Sequence, residues 1–199
     1  YSLTSEKATL VTHMSVGRWG AASIVLNDST LWVTGGVNYG EKLASTEYVK
    51  MTGTMPGPDL PMALGFHAMV AINNTCSMVI GGYSGGYSAS TFYYDHNEGE
   101  WTTGPSLMQA RYGHAAGIVT DEVTDENFVA VTGGYYSGGL DSTEILQDEN
   151  WVQGNINNAT IYVSMTSLLT HTVAHSTRPS FRLKTNNQPL KKFLSLAVS

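Results

Sequence analysis

Apolar residues along this chain come in short runs, and three of the runs end the same way. Leu31-Trp32-Val33-Thr34, Met78-Val79-Ile80 and Val129-Ala130-Val131-Thr132 each stop at a glycine pair, Gly35-Gly36, Gly81-Gly82 and Gly133-Gly134. Runs this short, bounded by turn formers, predict strands rather than helices. The glycine pairs lie 46 and 52 residues apart, so the unit that repeats is a group of strands about fifty residues long.

Aligning the units on their glycine pairs predicts the remaining elements. Before each pair stands an aromatic residue beside a glycine, then small residues, then apolar ones: Arg18-Trp19-Gly20-Ala21, Leu64-Gly65-Phe66-His67 and Arg111-Tyr112-Gly113-His114 lead these stretches. Each reads as a first strand packed closely on a neighbour. A turn at Asn27-Asp28-Ser29 or Asn73-Asn74 leads to the second strand, and the third unit stretches that turn to Asp121–Asn127. After the glycines come loops rich in Tyr, Ser and Gly, then a third strand opening on Ser-Thr at Ser45, Ser90 and Ser142. A fourth strand centres on Trp101 and Trp151 and leads into a Gly-Pro link, Gly104-Pro105, with Gly57-Pro58 as the first-unit counterpart. Four short strands and a large aromatic per unit describe a blade of a β-propeller.

This combination resembles the kelch repeat: a glycine pair, a Ser-Thr-Glu strand, a tryptophan, and a proline-containing link to the next Arg-Tyr-Gly-His. The second unit fits best, with Tyr94-Asp95 ahead of Trp101. The first carries Thr54 in place of the tryptophan, and the third carries Leu146 in the aromatic position. The expected fold is all-β, a partial kelch-type propeller of about three four-stranded antiparallel blades followed by an irregular C-terminal tail. Residues 1–16 read as the end of a preceding blade, 17–154 as the three blades, and 155–199 as a divergent tail whose residues 157–163 offer an opening strand of a fourth. Kelch propellers usually close with about six blades. An open array of three leaves exposed sheet edges, which invite self-association.

Charge changes the picture of the partner. Residues 1–154 hold all 16 acids and five of the ten Lys/Arg, a net of −11, whereas 155–199 hold Arg178, Arg182, Lys184, Lys191 and Lys192 and no acid. The acidic body repels phosphate and argues against nucleic acid. No apolar run approaches the ~20 residues of a membrane span. One cysteine, Cys76, excludes an internal disulfide framework. The residues leave the compartment open, with the cytoplasm ahead of the exterior. The sequons at Asn27, Asn73 and Asn158 are no more than chance supplies.

Candidate chemistry is sparse. His67 and His114 recur at one repeat position, which favours a structural role over metal or proton transfer. The acid-rich turn Asp121–Glu126 lacks the glycine-punctuated spacing of a calcium loop. Trp101 and Trp151 read as packing between blades, each indole N–H seeking a backbone acceptor, and Arg18 and Arg111 as structural partners of a carboxylate in a neighbouring loop. No catalytic residue, metal site or cofactor is assigned.

The loops after the glycine pairs differ from one unit to the next while the glycines do not. Tyrosine there supplies broad amphipathic contact area at low entropic cost, so Tyr39, Tyr83, Tyr87, Tyr135 and Tyr136 are the expected partner-binding residues. The resemblance implies a non-catalytic protein-interaction module. Two alternatives stand beside it: an enzyme of the oxidase or sugar-processing kind that some kelch propellers serve, or an incomplete product without a function of its own. The oxidase would need a cysteine crosslinked to tyrosine, with two histidines and another tyrosine around copper, and no such set is recognisable around Cys76.

Overall fold

The computed structural model describes residues 12–26, 29–121, 124–154 and the backbone of 159–162. The expected preceding blade at 1–16, most of the tail at 155–199 and the Asn27 and Asn158 sequons therefore lie wholly or largely outside the described residues. No helix occurs among the described residues, and none there is long and apolar enough to cross a membrane.

Each unit folds as one antiparallel sheet. The first contains β1 (Ala22–Leu26), β2 (Thr30–Thr34), β5 (Thr46–Lys50) and β6 (Gly53–Pro56) in that spatial order. A small hairpin of β3 (Val37–Asn38) and β4 (Glu41–Lys42) is built into the connection from β2 to β5. The second unit repeats the meander as β7 (Ala68–Ala71), β8 (Cys76–Ile80), β9 (Thr91–Asp95) and β10 (Glu100–Thr103). The third does so as β11 (Ala115–Asp121), β12 (Asn127–Thr132), β13 (Thr143–Gln147) and β14 (Asn150–Gln153). A fifth strand, β15 (Ala159–Tyr162), joins this last sheet by pairing antiparallel with β11. It extends the third sheet at the edge opposite β14.

The sheets stand face to face, with an apolar layer on each side of the middle one. Ile24 and Trp32 of the first unit meet Leu60, Leu64, Met69, Val79, Phe92 and Tyr94. On the opposite face Val70, Met78, Ile80 and Leu107 meet Ala116, Val129, Val131 and Trp151 of the third unit. Strand β8 is therefore buried on both sides, with Met78, Val79 and Ile80 fully enclosed. That explains why it reads as an unbroken apolar run instead of an alternating one. Each such side chain contributes about 1.5–3 kcal/mol through burial.

Polar links fix the register of one blade on the next. The Gly36 N–H donates to the Leu64 carbonyl and the Gly82 N–H to that of Arg111, each at 2.8 Å. The first glycine of each pair has a left-handed φ, 55° at Gly35 and 58° at Gly81. A Cβ on Gly81 would lie 2.7 Å from the Arg111 carbonyl oxygen, so this close approach requires glycine. The Ser-Thr signature acts within the unit: the Thr46 hydroxyl donates to the Pro58 carbonyl and that of Thr91 to the Pro105 carbonyl, at 2.9 and 2.8 Å. Each threonine thereby pins the Gly-Pro link against the third strand.

Candidate functional site

One end of the molecule gathers the loops that follow the glycine pairs and the segments that lead into β1, β7 and β11. The two are stitched together in every unit, by bridges from Trp19 to Val37, Gly65 to Tyr83 and Tyr112 to Tyr135. The sequence placed aromatic residues in both kinds of segment, so the stitching brings rings from three units onto one surface.

The rings touch in a continuous series. Trp19 meets Phe66 edge-on at 5.0 Å between centroids, and Phe66 meets Tyr112 at 5.5 Å. Tyr112 stacks on Tyr87 at 5.7 Å with the planes 11° apart, and also contacts Tyr83 and Tyr135. Tyr87 meets Tyr136 edge-on at 5.1 Å. Phe66, Tyr83 and Tyr112 are half-buried, whereas Trp19 is 61% exposed and Tyr87, Tyr135 and Tyr136 are exposed as well. An exposed, contiguous aromatic surface of this kind marks an interaction site more often than a bare edge of the core. At its margin the Lys42 ammonium lies 5.2 Å from the centroid of the Tyr83 ring.

Of the tyrosines expected to bind a partner, Tyr83, Tyr87, Tyr135 and Tyr136 belong to this surface. Tyr39 stands wholly exposed and outside these ring contacts. Trp19, Phe66, Tyr112 and Lys42 also belong to the surface and were not singled out from the sequence as binding residues. The aromatic beside each lead-in glycine was the available signal, but it reads equally well as strand packing.

Phe66 occupies an unusual backbone position. Its φ is 56°, where the corresponding Gly20 and Gly113 have 60° and 66°. A bulky residue pays for a left-handed conformation. Phe66 is held there by its N–H donating to Gly20 and its carbonyl accepting from the Gly113 N–H, at 2.6 and 2.8 Å. Its ring lies where a side chain on Gly20 would otherwise be, 2.7 Å from that position.

The recurrent charged and polar residues lie beneath this surface. The Arg18 side chain is fully enclosed and pairs with Glu47 at 2.8 Å while also donating to the Gly35 and Ser45 carbonyls. Burial pushes the Glu47 carboxyl upward, but the N–H groups of Ser15 and Val16 and the guanidinium of Arg18 outweigh it and leave its pKa below the ordinary value. Arg111 repeats the arrangement with Glu144 at 2.7 Å and the carbonyls of Gly133 and Ser142. His67 shares a hydrogen bond of 2.8 Å with Thr34 of the preceding unit, and burial lowers its pKa to about 4. The imidazole is therefore neutral at ordinary pH and ties two blades together. The Trp151 indole N–H donates to the Pro105 carbonyl at 2.8 Å. That of Trp101 has no acceptor among the described residues, and its ring packs instead at 5.8 Å from Trp32.

Burial and the charge of Asp95 raise the Cys76 thiol above its ordinary pKa, the opposite of an activated nucleophile. Among the described residues no three His, Cys, Asp or Glu side chains are grouped so as to hold a metal ion.

Side-by-side four-stranded meanders, locked by paired glycines and packed through a tryptophan layer, are the blades of a β-propeller. The particular kind of blade follows from the sequence: residues 64–108, the middle unit with its lead-in, match the family model of the Kelch motif. No curated protein matches the chain. Kelch motifs are generally non-catalytic, protein-binding modules, and this chain carries one flanked by two units of the same topology.

Proposed function

We propose that the chain is a protein-binding module whose partner docks on the aromatic end of the blades, with Tyr83, Tyr87, Tyr135 and Tyr136 supplying the contact area. The observation that carries this reading is the unbroken series of ring contacts from Trp19 to Tyr136 across all three units. A surface assembled from three repeats offers more area than any single loop, and its rings are already mutually supported. Little side-chain freedom remains to be lost on binding. Tyr39, on the neighbouring hairpin, serves as a peripheral contact.

Affinity capture tests the reading. The full chain and its Tyr87→Ser/Tyr136→Ser variant, shown by circular dichroism to be equally folded, are compared for the proteins they retain, which are identified by mass spectrometry. A retained protein that falls at least tenfold with the double variant, but not with Asn97→Ala on the turn at the far end of β9, supports the docking face. Equal recovery by both chains would remove it.

A further inference from the structure

The partner's chemistry can be narrowed on the strength of that docking reading. We infer that the aromatic end accepts an arginine-bearing segment of the partner, whose guanidinium lies over the exposed Tyr87 and Tyr136 rings.

Three observations lead there. The first is the chemistry of the surface itself, because aromatic faces carry negative potential and attract cations held within about 6 Å of the centroid. The molecule already does this once, with Lys42 over Tyr83 at 5.2 Å. The second is charge balance at this end. Every described Lys or Arg here is already engaged: Arg18 and Arg111 in enclosed ion pairs, Lys42 with its ring and the Gly40 carbonyl. The flanking carboxylates, Glu41 on the β3–β4 hairpin and Asp141 on the loop before β13, are by contrast exposed. The third is the long-range field. Residues 1–154 carry a net charge of −11, which raises the local concentration of cationic partners and slows anionic ones. Arginine suits the site better than lysine, since its planar guanidinium stacks on a ring face and gives up its hydration more readily.

The test uses the full chain and three synthetic ten-residue Gly-Ser peptides. One bears two arginines, the second has citrulline in their place, and the third has glutamate. Binding is followed by calorimetry at low salt. The arginine peptide is expected to bind about tenfold tighter than its citrulline twin, with the glutamate peptide weaker still. Tyr87→Leu/Tyr136→Leu, which keeps apolar bulk but removes the rings, should erase most of that preference. Equal affinity for the arginine and citrulline peptides overturns the inference, and so does a preference that survives the leucine variant. If the full chain ignores the arginine peptide but Arg178→Ser/Arg182→Ser/Lys184→Ser takes it, the chain's own basic segment fills the face, and the proposal of a partner segment falls. The docking reading fails separately: there, protein capture is indifferent to Tyr87 and Tyr136, whatever the peptides do.

Discussion

The middle unit and its two neighbours solve the same structural problem with opposite chemistry. In the flanking units the corner beneath the glycine pair is filled by an enclosed arginine, Arg18 or Arg111, paired with Glu47 or Glu144. In the middle unit the same two positions hold Leu64 and Phe92, both buried in one apolar layer. The exchange extends to the backbone. Glu47 accepts from the Ser15 and Val16 N–H groups, and Glu144 from those of Met108 and Gln109. Where Ser15 and Met108 stand, the middle unit has Pro61, which has no N–H to satisfy. Carboxylate, guanidinium and a donor needing an acceptor have been replaced together. A buried ion pair contributes little over a well-packed apolar pair, yet removing one partner of it is costly.

The largest effect should come from breaking this correspondence halfway. Glu144→Leu leaves the enclosed Arg111 guanidinium and the Met108 and Gln109 N–H groups without their carboxylate, and should cost about 3–5 kcal/mol in urea denaturation. Completing the exchange as Met108→Pro/Arg111→Leu/Glu144→Phe copies the middle unit and should return to within about 1 kcal/mol of the parent. If the triple variant is as unstable as Glu144→Leu, the two solutions are not interchangeable, and the comparison fails.

A second contrast separates the middle unit from the last. Gly81 and Gly133 share a left-handed φ, 58° and 69°, but their surroundings differ. A Cβ on Gly81 meets the Arg111 carbonyl oxygen at 2.7 Å, whereas on Gly133 the nearest described atom is the Leu140 carbonyl oxygen at 3.7 Å. Gly81→Ala should therefore cost about 2–4 kcal/mol, the backbone penalty plus a forced shift of the next blade. Gly133→Ala should cost only about 1–2 kcal/mol, the backbone penalty alone. Equal melting temperatures for the two variants would mean that the glycine pair does not set the spacing between blades.

Protonation distinguishes the middle unit from the first, which has Ala21 in place of His67. Burial holds His67 near a pKa of 4, against an ordinary 6.5. Between those values the unfolded chain binds a proton that the folded chain refuses, so stability is full above 6.5 and falls as pH approaches 4. Lowering the pH from 7.5 to 5 should remove about 2 kcal/mol through this group. His96, whose pKa burial also lowers against the opposing charge of Asp95, acts in the same direction. The part due to His67 is what His67→Ala abolishes in denaturation curves taken at both pH values.

The fold was largely legible in the sequence, and the candidate site only partly so, for one physical reason. Strand period, turn residues and glycine pairs are local signals, and the aligned units Arg18–Thr54, Leu64–Trp101 and Arg111–Trp151 each carry them. An aromatic surface assembled across units is not local. Tyr87 meets Tyr112 only because the blades stand side by side, so Tyr112 and Phe66 read as packing residues. The exchange of Arg and Glu for Leu and Phe was visible in the alignment, but only the shared burial of Leu64 and Phe92 gives it meaning. Trp101 shows the opposite error. Its ring packs on the Trp32 indole of the preceding unit, as expected between blades, but the backbone acceptor expected for its N–H is missing among the described residues, whereas Trp151 has one.

The smallest effect is also the most diagnostic, and it concerns Phe66. The flanking units have glycine at this left-handed position, Gly20 and Gly113, while the middle unit has a phenylalanine at φ 56°. Phe66→Ala and Phe66→Gly both remove the ring and its contacts with Trp19 and Tyr112. They differ only in backbone preference. At an ordinary position alanine is the more stable of the two, because glycine has more unfolded-state freedom to lose. At a position whose φ penalises any Cβ the order reverses, and Phe66→Gly should be the more stable by about 1 kcal/mol. That order would show that the middle unit tolerates backbone strain to keep a ring at the centre of the aromatic surface. Alanine proving the more stable would mean that Phe66 rests there without strain, and that its place among the rings needs no functional explanation.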